Sequence, residues 1–65
     1  MTDAVEVELQ DDGSVVAIAE RDWQATLLDA ASIRLLGEVA DEDAVWDVYE
    51  VVHRDRQVRT YALEV

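Results

Sequence analysis

Apolar and polar residues alternate strictly from Ala4 to Gln10, with Val5, Val7 and Leu9 on one side and Glu6, Glu8 and Gln10 on the other. A period of two predicts a β-strand with one wet face. Met1 to Asp3, ahead of it, is expected to fray. Asp11-Asp12-Gly13-Ser14 follows, and Asp-Gly between alternating runs signals a hairpin because both residues tolerate positive φ. Val15 to Glu20 is then the return strand. With Asp12 and Gly13 as the turn, Leu9 faces Val16 and Val7 faces Ile18.

The period changes at Asp22. This residue suits a helix N-cap, and Trp23, Leu27, Ala30 and Ala31 recur at helical spacing. The end of that helix has two readings. In one it stops near Ala31, and Ser32 to Val39 forms a third strand with Ile33, Leu35, Gly37 and Val39 alternating against Arg34, Leu36 and Glu38. In the other it continues to Leu36 and Gly37 supplies a left-handed C-terminal cap. The apolar character on all sides after Ser32 favours the break. The expected fold is therefore α+β in the order β-β-α-β-β-β, with β-β-α-β-β as the alternative. Asp41-Glu42-Asp43 is a polar turn in both.

Val45 to Val52 and Val58 to Val65 are rich in the β-branched and aromatic residues that fit a pleated, half-buried surface. His53-Arg54-Asp55-Arg56-Gln57 between them marks a C-terminal hairpin. A turn at Asp55-Arg56 sets Trp46 against Val65, Val48 against Leu63, Glu50 against Tyr61 and Val52 against Arg59. Trp46, Val48, Val52, Tyr61, Leu63 and Val65 then share one face. Neither Asp55 nor Arg56 takes positive φ as readily as Asn-Gly does, so a three-residue loop is also open. Val45, Tyr49, Val51, Val58 and Thr60 fall on the second face, and this unspent apolar surface predicts a partner or dimer interface there.

Length sharpens that expectation. Sixty-five residues with two Gly and no Pro read as a single domain spanning 1–65 with no linker. Chains this short are commonly reinforced by disulfides, a metal or a second subunit. With no Cys and one His, a structural zinc site is excluded, so oligomerisation is the expected remedy. No cofactor is expected.

Charge adds the most specific compositional signal: sixteen Asp and Glu, five Arg, no Lys, and a formal net charge of -11. An acidic chain without Lys and rich in Asp, Glu, Val and Ala is typical of halophiles that hold molar KCl in the cytoplasm. At about 1 M salt the Debye length is about 3 Å, which screens the self-repulsion of such a chain. An acidic mesophilic protein from a GC-rich genome is the alternative. The N-terminus lacks a basic region followed by an apolar run, and no stretch approaches the ~18 apolar residues of a membrane span, so a cytoplasmic location is expected.

Candidate chemistry is sparse. Ser14 and Ser32 sit where turn and element-boundary residues belong, and His53 is expected on the surface at the lip of the hairpin. No Gly-rich phosphate loop or His-Glu-x-x-His is present, and Asp11-Asp12 and Asp41-Glu42-Asp43 lack the spacing of a calcium loop. An enzyme is not expected. The Arg are clustered, with Arg54, Arg56 and Arg59 beside His53 at one hairpin tip, a way for a small protein to reach phosphates. Pairing of Arg59 with Glu50 or a neighbouring acid is the simpler account of that residue. The expected function is a halophile-type protein-interaction module, homodimeric, with a nucleic-acid-binding regulator as the alternative. High salt weakens phosphate contacts and disfavours the latter.

Overall fold

The computed structural model describes residues 3–40 and 42–65; Met1, Thr2 and Asp41, with the fraying and part of the polar turn expected there, lie outside the described residues. The chain runs β1 (Asp3–Leu9), β2 (Val15–Asp22), α1 (Trp23–Leu28), β3 (Ala30–Ala40), β4 (Val45–His53) and β5 (Val58–Glu64). The strands form one sheet in the order β2-β1-β5-β4-β3, antiparallel throughout. This is the β-β-α-β-β-β order. Among the described residues no helix is long and apolar enough to cross a membrane. Asp3, expected to fray, is held in β1 opposite Asp22.

Asp22 caps α1 as its sequence position suggests, its Oδ1 accepting from the N–H groups of Gln24 and Ala25 at 2.9 and 3.2 Å. The helix stops after six residues, too few to be stable alone. Asp29 ends it and Ala30 already pairs with His53. Pairing with β4 overrides the helix preference of the Ala and Leu that follow. Two extra residues, Ala31 and Leu36, bulge out of the β3 ladder, and Ile18 does the same in β2.

Both hairpins close through the same three-residue loop. Gly13 N–H donates to the Gln10 carbonyl at 3.1 Å, and Arg56 N–H donates to the His53 carbonyl at 2.9 Å. Gln10 N–H then reaches the Ser14 carbonyl and His53 N–H the Gln57 carbonyl, each at 2.8 Å. Gly13 and Arg56 hold φ of 88° and 72°, the left-handed residue that follows a type I turn in such loops. Asp12 and Asp55 accept from the N–H two residues on, Ser14 and Gln57, each at 2.9 Å.

The extra loop residue corrects both expected registers by one. Leu9 faces Val15, Val7 faces Ala17, and Ile18 is the bulged residue rather than the partner of Val7. In the second hairpin Trp46 faces Glu64, Val48 faces Ala62, Glu50 faces Thr60 and Val52 faces Val58. Directly opposed residues share a face. Val5, Ala62 and Val48 therefore run along one face, and Glu6, Tyr61, Tyr49 and Leu35 along the other. Tyr61 and Leu63 thus leave the face of Trp46 and Val48 to which the two-residue turn assigned them.

Both faces carry a core. Beneath α1, Ala4, Val51 and Tyr61 are buried with Trp23, Ala30 and Leu63 against them. Trp23 sits 5.7 Å from the ring of Tyr49 and 5.8 Å from that of Tyr61. On the opposite face Val7, Val48 and Ala62 are buried, with Val5, Val15, Val39 and Trp46 packed around them. No helix covers this second face among the described residues.

Candidate functional site

Two places combine unusual surface or polar chemistry with definite geometry. The first is the uncovered face. Val15 and Ala17 of β2 and Val39 of β3 line the same trough although their strands are the two edges of the sheet, so the sheet coils to bring its edges toward each other. Val5, Val7, Trp46 and Ala62 complete the walls, with Ser14 at one end. The trough encloses about 380 Å³. Its polar member is already engaged: Ser14 Oγ donates to Asp12 Oδ1 at 2.6 Å. That bond and the Ser14 N–H hold the Asp12 carboxyl below the usual Asp pKa, so the mouth of the trough is anionic.

The second place lies under α1. His53 Nδ1 is 3.0 Å from Asp29 Oδ2, and Nε2 is 2.8 Å from Tyr61 Oη. A carboxylate accepts, so Nδ1 is the donor to Asp29, and in that tautomer of the imidazole Nε2 accepts from the Tyr61 hydroxyl. His53 is 8% exposed and Tyr61 2%, which corrects the expected surface position of His53. The physical reason is the end of α1, which Arg54 N–H also grips by donating to the Asp29 carbonyl at 3.0 Å. Burial, then the nearby Glu6 carboxylate, raises the Tyr61 pKa. With its hydroxyl buried, Tyr61 ties the helix exit to the hairpin rather than facing a substrate.

Glu6 extends this polar layer. Expected on a wet face, it is 8% exposed, with Arg21 Nε at 2.9 Å and Arg59 Nη1 at 3.7 Å from its Oε1. A carboxylate this buried needs such partners. Arg34 pairs with Glu50 at 3.3 Å. Arg59 is therefore directed toward Glu6 on the α1 face and not to the hairpin tip, while Glu50 is taken by a different Arg. Among the described residues, Arg54 and Arg56 stand exposed in the turn without an ion pair to an acid, whereas His53 and Arg59 each face one.

The residues expected to form a partner or dimer interface are not one surface. Tyr49 and Val51 lie on the α1 face, where Val51 is fully buried, whereas Val58 and Thr60 lie on the trough face with Val52 and Glu50. Val45 stands at the start of β4, partly exposed beside Ala40. The one-residue change of register divides the set, as period-two geometry requires. The open apolar surface lies instead in the trough, whose Val5, Val7 and Val15 were legible as apolar strand positions but whose convergence depends on the coiling of the sheet.

Among the described residues no group of three or more His, Cys, Asp or Glu converges to hold a metal ion. No family model matches the chain, and neither the curated proteins nor the solved structures with which it was compared give a match.

Proposed function

We propose that this chain is a protein-interaction module that receives a partner on the open face of its sheet. The observation that carries the reading is the trough of about 380 Å³, lined from all five strands by apolar side chains and left uncovered by α1. Uncovered apolar surface of this kind marks interaction sites in soluble proteins. Ser14 Oγ, its hydroxyl group, already donates to Asp12, which leaves little to orient a small polar substrate. The net charge of -11 and the absence of Lys suit a module that works in a salt-rich cytoplasm. Two Arg at one turn, without an ion pair among the described residues, give nucleic acid little to hold by comparison.

Recovery of tagged protein from its native cytoplasm, or a salt-matched substitute, in about 1 M KCl tests this. Ala17 is exposed in the trough wall, so Ala17→Arg blocks the face while circular dichroism stays native. A protein recovered with the wild type, insensitive to nuclease and lost with Ala17→Arg, is the expected result. Recovery that disappears with nuclease and survives Ala17→Arg would overturn the reading and move the site to Arg54 and Arg56.

A further inference from the structure

The charges around the trough specify its occupant more closely. Asp12 stands at the mouth beside Ser14. At the other end Glu20 is opposite Val5 and Glu64 is opposite Trp46, and both of those partners line the trough, so both carboxylates project on its face. The Arg on this face, Arg34, is tied to Glu50. Apolar walls are thus bounded by carboxylates at both ends.

The occupant's backbone is also constrained. The edge strands β2 and β3 carry bulges at Ile18, Ala31 and Leu36, which spoil the regular ladder that strand addition requires. An extended segment lying across a sheet face leaves its own N–H and C=O groups without partners, whereas a helix satisfies them internally. A second copy of this chain meeting through the same face would press like carboxylates into direct contact at the ends of the trough, where partly buried charges are screened much less by salt than separated ones. From Val15 to Glu20 along β2 is about 13 Å at roughly 3.3 Å per residue with one residue lost to the bulge. A helix covers that length in about nine residues.

Resting on the interaction reading above, we infer that the occupant is an amphipathic helix of a partner protein, about two and a half turns long, with an apolar stripe seated in the trough and Lys or Arg at both ends. The basic ends face Asp12 on one side and Glu20 and Glu64 on the other. The stripe supplies the burial and the charges set direction and selectivity.

Three synthetic twelve-residue peptides test the inference: a Leu-striped helix former with Lys at both ends, the same stripe with Glu at both ends, and a scrambled Lys peptide without the stripe. Binding is followed by Trp emission and by amide shifts, at the lowest KCl concentration that preserves native circular dichroism. The Lys-ended peptide is expected to bind about tenfold more tightly than the Glu-ended one, as several exposed attractions become repulsions. Glu20→Gln and Glu64→Gln, both at exposed positions, are each expected to weaken it about two- to fivefold. Ala17→Arg is expected to abolish binding, and the scrambled peptide is expected not to bind.

Equal binding of the Lys- and Glu-ended peptides, blocked by Ala17→Arg, overturns the charge assignment while leaving the interaction reading intact. Binding that survives Ala17→Arg or tolerates scrambling is diffuse attraction to an acidic protein and overturns the inference. Absence of binding by either striped peptide overturns it as well, and the recovery experiment then decides the interaction reading independently. Self-association through this face that excludes the peptide replaces the partner helix with a second copy.

Discussion

The two faces of this sheet are built from the same strands and each holds a core, yet one is closed over its centre by α1 and the other is open. Under α1, each large side chain meets another across the layer: Trp23 on Tyr49 and Tyr61, and Tyr61 on His53. Its polar groups are tied in pairs, Asp29 to His53 and Glu6 to Arg21 and Arg59. On the other face Trp46, Val39 and Val15 are only partly covered and converge on empty space. Six helical residues cover the centre of one face and leave Ile33 and Leu35 of β3 exposed beyond them, and the face they do not reach is where a partner can contribute.

This contrast can be broken by charge. Val51 is fully buried on the closed face, and Val51→Asp, which places an unpaired carboxylate there, is expected to destabilise the fold by about 4 kcal/mol or more. Ala17→Arg on the open face is expected to change stability by about 0.5 kcal/mol or less. Urea unfolding at fixed salt compares the two directly. Equal losses would mean that the open face is as tightly built as the closed one.

Alkaline pH probes the closed face alone. Burial raises the Tyr61 pKa, so the folded state favours the neutral phenol. Its contribution is fully present below the ordinary Tyr pKa of about 10 and is lost as pH rises toward the folded value. Stability of the wild type is expected to fall over that range, and that of Tyr61→Phe to fall less steeply. Tyr61→Phe is also expected to lose about 1 kcal/mol at neutral pH with the bond to His53. Parallel alkaline limbs in the two proteins would place the titrating group elsewhere.

The smallest expected effects distinguish the two turns. Gly13 and Arg56 occupy the same left-handed position, which Gly holds without strain and Arg does not. Gly13→Ala is expected to destabilise by about 1 kcal/mol and Arg56→Gly to be neutral or stabilising by a few tenths, the relief of strain being offset by a more flexible unfolded chain. Midpoints of thermal unfolding resolve the opposite signs.

The order of elements along the chain and the start of the helix at Asp22 were legible in the sequence because period-two alternation, Asp22 and the two turn segments are local signals. The helix, however, ends at Leu28 and not near Ala31 because Ala30 is already paired with His53. The registers were not legible, since Asp-Gly and Asp-Arg mark a turn without fixing whether two or three residues form it. That single residue moved Tyr61 and Leu63 across the sheet and dissolved the expected interface of Val45, Tyr49, Val51, Val58 and Thr60. His53 was misplaced for a different reason. Its burial depends on Asp29, which is 24 residues away in the chain and reaches it only after α1 crosses the sheet. The trough was hidden likewise, because bulges at Ile18 and Leu36 and the coiling that brings Val15 toward Val39 leave no local pattern.

The most direct test of the open face is a map of amide and methyl shifts in isotopically labelled protein as the partner recovered at high salt is added. Shifts are expected at Val5, Val7, Ala17, Val39 and Ala62, with Ala4, Val51 and Tyr61 unmoved. Shifts centred on α1 or on Arg54 and Arg56, with the trough silent, would contradict the account.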